Sequence, residues 1–132
     1  MWVSPKVDWQ PEDFVNLEDF NRMIEDLNAL REYALPYFPG YAVPEQALIK
    51  RDDDHTPGFL NAIEGHLQMA SEATVRDPAI PARKTWELSG PFYTYEDLNR
   101  IEGGILATYQ KIGSIPAGKP VLAYEMGNDL PF

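Results

Sequence analysis

The chain repeats itself, and that limits its architecture more than any other feature does. The stretch Val7–Met23 (V-D-W-Q-P-E-D-F-V-N-L-E-D-F-N-R-M) aligns with Lys84–Ile101 (K-T-W-E-L-S-G-P-F-Y-T-Y-E-D-L-N-R-I) once one residue is inserted. Trp9 then falls on Trp86, Phe14 near Phe92, and Glu18-Asp19-Phe20-Asn21-Arg22 on Glu96-Asp97-Leu98-Asn99-Arg100. A truncated third copy lies between them: Leu60-Asn61-Ala62-Ile63-Glu64-Gly65 matches Leu98-Asn99-Arg100-Ile101-Glu102-Gly103 at five of six positions. Three copies of so small a unit, with narrow apolar stripes and long connections, make a thin core that partners are expected to complete.

Each copy opens a helix with recognisable chemistry. Asn16 and Thr94 are N-cap residues, with Asp19 and Asp97 at the capping-box position three residues on. Glu18 and Glu96 stand in the first turn, where the helix dipole favours negative charge. Each is four residues ahead of an arginine, Arg22 or Arg100, in the better order for an ion pair. Thr56-Pro57 starts the middle helix with a capping hydroxyl and a proline at the first helical position.

Apolar stripes follow at helical spacing: Leu17, Phe20, Met23, Ile24, Leu27 and Leu30; then Phe59, Ile63, Leu67 and Ala70; then Leu98, Ile101, Ile105, Tyr109 and Ile112. The expected fold is mainly α. Three short amphipathic helices near 17–35, 57–74 and 94–112 form a repeat-built domain over 1–113. Long extended Pro-rich linkers join them, and an extended C-terminal arm spans 114–132. The chain of 132 residues suits one domain. Twelve prolines, against an ordinary share of about 5%, account for the extended connections. Trp9 and Trp86 precede their helices, and each indole is expected to fold back over its own helix, the first and the third.

Charge and composition exclude several function classes. A formal net charge of −10, with no compensating basic cluster, repels nucleic acid and anionic lipid. Cysteine is absent, which removes thiol nucleophiles and cysteine-ligated zinc. No apolar run approaches the roughly 18 residues of a membrane span, and the start of the chain lacks the pattern of a secretory signal.

Candidate chemical sites fare no better. Asp52-Asp53-Asp54-His55 resembles a cation loop, but counting from Asp52 the sixth position is Pro57 and the twelfth Ile63, where a calcium loop needs glycine and a carboxylate. The run reads as a solvated acidic turn. His55 and His66 lack metalloprotease spacing, and His66 is expected on a helix surface or an interface. No serine has a nucleophile-elbow context. Gly65 and Gly103 share one slot and suggest close backbone contact there. Asn21, Asn61 and Asn99 share one register beside the stripe. Asparagine is a mediocre helix former, so its recurrence points to an amide bonded to the backbone of the tryptophan-bearing segment. The expectation is a protein with no enzymatic activity, cofactor or metal.

The phrase Glu96-Asp97-Leu98-Asn99-Arg100-Ile101-Glu102-Gly103, preceded by Lys84-Thr85-Trp86, resembles a helical module of tail-fibre and baseplate proteins from bacteriophages of Gram-positive hosts. The resemblance covers 84–112 and, less closely, 7–34, where Phe20, Met23 and Ile24 replace the expected Leu, Ile and Glu. It implies a virion structural protein, a tail or baseplate adaptor or accessory protein, made in the host bacterial cytoplasm. Its partners would be other virion proteins and copies of itself, with no nucleic acid and no membrane. The structural and assembly residues are expected to be Trp9, Asn21, Arg22, Asn61, Trp86, Asn99, Arg100 and Glu102, together with Leu122, Tyr124 and Phe132 of the tail, which the resemblance does not reach but whose many apolar groups point to docking. The tail and the 36–56 linker are expected to dock on a partner chain. A capsid or neck decoration protein and a non-viral cytoplasmic helical binding module are the alternatives.

Overall fold

The computed structural model describes residues 2–50, 57–74, 83–87 and 89–114. Three α-helices carry the fold: α1 Leu17–Ala34, α2 Pro57–Ala73 and α3 Tyr95–Gly113, with no strand among the described residues. Asn16 and Thr94 cap α1 and α3 in extended conformation, and their backbone N–H groups donate to Asp19 and Asp97 at 2.8 and 2.9 Å. Each carboxylate thereby satisfies a donor at the positive end of its helix.

All three helices touch one another. Their stripes meet in a core of Met23, Ile24, Leu27, Leu30, Ile63, Ala70, Leu98, Ile101 and Ile105, each at most 1% exposed. Burying one such aliphatic side chain contributes about 1.5–3 kcal/mol.

What distinguishes this bundle is how its three grooves are closed. Residues 2–9 lie between α1 and α3: the Val3 N–H donates to Asp26 on α1, and the Trp9 N–H to Asn99 on α3. Trp2 completes the groove, stacked on Tyr109 with ring centroids 4.0 Å apart and edge-on to Tyr33. Residues 41–49 lie between α1 and α2, held by Asn21 and Asn28 on one side and by His66 against Gln46 on the other. Residues 83–86 lie between α2 and α3, held by Asn61 and Glu64 and by a Lys84–Asp97 ion pair.

Four expectations are corrected by this arrangement. The indoles do not fold back on their own helices. Trp9 precedes α1 and docks on α3; Trp86 precedes α3 and docks on α2. The described part of the 36–56 linker packs on the chain's own α1, with Tyr41 and Val43 buried there. His66 is buried at 7% exposure rather than on a surface. The shared glycine slot is not one of uniform close contact. A Cβ on Gly65 would meet the Arg83 guanidinium at 3.0 Å, while at Gly103 nothing stands within 4 Å.

Candidate functional site: two indole–carboxylate nodes

The strongest concentration of buried polar groups occurs twice, in the same pattern. On α3, the Asn99 side chain accepts from the Trp9 N–H at 2.7 Å and donates to the Trp9 carbonyl at 3.1 Å. One turn along, Glu102 accepts from the Trp9 indole N–H at 2.7 Å and from the Lys6 N–H at 2.9 Å. Arg22 reaches across from α1 to the same carboxylate.

On α2 the set recurs with Asn61, Glu64, Trp86, Lys84 and Arg100. Asn61 pairs with the Trp86 backbone at 2.7 and 2.9 Å; Glu64 takes the Lys84 N–H at 2.9 Å and the Trp86 indole N–H; Arg100 reaches over from α3. An asparagine amide offers a donor and an acceptor side by side, so it can take both backbone groups of one residue as a sheet ladder would. That is why a poor helix former recurs in this register.

The third groove keeps the amide and discards the charge. Asn21 pairs with the Ile49 backbone at 2.7 and 2.9 Å. Counting outward from the asparagine, Ile24 stands where the other helices have Glu64 and Glu102, and Ala62 where they have Arg22 and Arg100. Ile49 takes the place of tryptophan. All three polar partners are replaced by apolar ones together, which avoids a buried charge without its counter-ion.

The two polar nodes differ electrostatically. Burial pushes Glu64 up, but both Arg100 terminal nitrogens, at 2.7 and 2.9 Å, with the Lys84 and Trp86 N–H groups hold it below the ordinary carboxylate value. Burial dominates at Glu102, which lies above its ordinary value despite Trp9, Lys6 and Arg22. Arg22 divides its terminal nitrogens between Glu102 and Asp19. A further buried carboxylate, Asp26, stands near this node; burial lifts it to about 6, with one oxygen lacking a partner. The arginines do not form the expected ion pairs with Glu18 and Glu96, which stay exposed. They turn inward to the buried glutamates and pair locally with Asp19 and Asp97 at 2.9 and 3.5 Å.

Of the residues singled out from sequence, Trp9, Arg22, Asn99 and Glu102 meet in one node, Trp86, Asn61 and Arg100 in the other, and Asn21 in the apolar groove. Leu122, Tyr124 and Phe132 lie outside the described residues, as does Asp52-Asp53-Asp54-His55. Sequence reasoning passed over Glu64, Lys6, Lys84 and Asp26. The match of Glu64 to Glu102 in the shared hexapeptide was the available signal for the first of these. No group of three His, Asp or Glu side chains able to hold a metal occurs among the described residues, and no described helix is long and apolar enough to cross a membrane. Comparison with family models, curated proteins and solved structures returns no match.

Proposed function

We propose that this protein is a structural component of a bacterial virus particle, a tail or baseplate adaptor or accessory protein that acts by protein–protein assembly. Its fold is read as a degenerate repeat of one helix and one groove-filling segment. The observation that carries the reading is where the polar chemistry goes. The buried carboxylates and arginines of the two nodes hold the chain's own segments in place, leaving no cluster poised for a substrate among the described residues. Large apolar groups meanwhile face outward: Phe14 is 90% exposed and Phe92 78%. Exposed aromatics in equivalent positions suit contact with neighbouring subunits better than catalysis.

Two sequence features support the same reading. The Trp-to-Asp-Leu-Asn-Arg-Ile-Glu phrase resembles phage tail modules, as set out above. The tail opens Ile115-Pro116-Ala117-Gly118-Lys119, repeating four of the five residues of Ile80-Pro81-Ala82-Arg83-Lys84, the lead into the Trp86 segment. With the three grooves already filled, a further segment of this type would seat on another subunit.

The second reading is a helical binding module outside any particle, favoured by a core that closes on its own segments. Incorporation separates the two. Tagged full-length chain should appear in purified particles at fixed stoichiometry, and a version ending at Ser114 should incorporate several-fold less. Absence of the full-length chain from particles would leave the module reading standing; equal incorporation of both versions would remove the tail as an assembly arm.

A further inference from the structure

The three groove-filling segments are not equally local. Residues 41–49 pair with α1 across 18 to 28 positions and residues 83–86 with α2 across 20 to 25, each following the helix it docks on. Residues 2–9 bind α3 across 90 to 96 positions. Their covalent link to the described fold runs instead through residues 10–16 into α1. That link is exposed over most of its length. Its turn is closed within itself by Asp13, which accepts from the Gln10 N–H while donating its own N–H to the Gln10 carbonyl. The seat on α3 is therefore made of the residues most distant in sequence from the segment that fills it.

We propose that residues 2–9 exchange between copies of this chain, the segment of one copy filling the α1–α3 groove of the next. The inference rests on the assembly reading and supplies its partner, a second copy. Exchange keeps each contact of the closed form: Trp9 on Asn99 and Glu102, Val3 on Asp26, Trp2 on Tyr33 and Tyr109. Only the turn at Gln10–Asp13 and the partly exposed Lys6–Asp13 ion pair at 3.7 Å must open, so the two forms differ by little beyond association entropy. Tethering to one chain gives an effective concentration on the order of mM, so dilute protein stays closed and a crowded particle favours exchange.

The surface beside the link fits the exchanged form. A hollow of about 300 Å³ lies where the link meets α3, lined by Pro11, Asp13, Val15, Tyr93 and Tyr95. Phe14 falls between two of those residues and Phe92 packs against Tyr93 with centroids 4.5 Å apart and the rings tilted by 34°. These two phenylalanines are the most exposed large apolar groups among the described residues. In an exchanged pair the link of one copy passes this surface of the other and covers it.

The test is complementation between two full-length variants. Trp9→Ala is a poor donor with an intact seat; Asn99→Ala is an intact donor with a poor seat. Mixed, they should form a 1:1 complex of about twice 15.0 kDa by light scattering, while each alone stays smaller. The local pair Trp86→Ala with Asn61→Ala should not complement. A first mixture that remains at 15.0 kDa overturns exchange even if the full chain enters particles, and complementation by both pairs overturns its assignment to residues 2–9. Should either variant lose its helical circular dichroism, a fluorescent peptide of residues 1–12 replaces the mixture. Saturable binding to the wild-type chain on warming supports an opening seat, and no binding overturns it.

Discussion

Glu64 and Glu102 sit one turn after an asparagine that clasps a tryptophan's backbone, each taking an indole N–H and an arginine. Yet one is held below its ordinary pKa and the other lies above it. Glu64 receives both terminal nitrogens of Arg100, whereas Glu102 shares Arg22 with Asp19 and has the buried Asp26 nearby. The same set of residue types thus yields a charge-balanced node at α2, where the arginine is bidentate, and an under-compensated one at α3, where it is divided. The third groove, with Ile24, Ala62 and Ile49, shows a further solution: the polar set is absent altogether while the amide clasp persists. What the three share is the backbone clasp, so the clasp sets the path of each segment and the charges set how firmly it is held.

The largest effect expected from breaking this comparison comes from forcing charge into the apolar groove. Ile24→Glu places a carboxylate at a fully buried position without an arginine, and should cost above about 4 kcal/mol in chemical denaturation. Adding Ile49→Trp and Ala62→Arg should recover part of the loss, with a coupling of about 1–3 kcal/mol. A triple variant no more stable than the single would mean that the third groove is not an equivalent place.

Next come the tryptophans. Trp86→Ala should cost about 3–5 kcal/mol, the range for deleting a buried aromatic. Trp9→Ala should cost less, because residues 2–9 have no short link to α3 and can detach, which caps the loss. Equal costs, measured by urea unfolding, would erase the distinction between a locally held segment and a distant one.

Glu64→Gln breaks a buried bidentate ion pair and should cost about 3 kcal/mol, while Glu102→Gln should cost about 1 kcal/mol, since its charge is already penalised by burial. The reverse ranking would place the better-balanced node on α3.

The smallest effect is in the pH profile, and its sign differs between nodes. Glu64 and Asp97 have lowered pKa values, so their stabilisation is present above the ordinary carboxylate values and lost as pH falls below about 4. Glu102 and Asp26 are raised, so theirs is present below the unfolded values and lost as pH rises, for Asp26 through about 6. Melting temperature should therefore peak at about pH 4, where the lowered carboxylates are already ionised and the raised ones still protonated, and decline from there through about pH 6. Asp26→Asn should flatten the neutral side and Glu64→Gln the acid side. A wild-type profile level from pH 5 to 8 would contradict the raised carboxylates.

The helices, their caps and their apolar faces were legible in the chain itself, because capping and 3.6-residue periodicity are local properties. Asn16 with Asp19, Thr94 with Asp97, and the stripes on either side define α1 and α3 without reference to anything distant. The recurring asparagine was legible too, as a residue that needs a backbone to bind. Which backbone it binds was decided by the tertiary structure. Trp9 stands next to α1 in sequence, but the turn at Gln10–Asp13 and the extended Asn16 carry it off that helix and onto α3. The same packing turned Arg22 and Arg100 away from Glu18 and Glu96. A charge in water gains little from a surface partner, whereas a glutamate buried beside an indole must be neutralised. Local sequence selects the elements; the pairing of segment to groove depends on where three helices come together, and no single stretch of this chain encodes that.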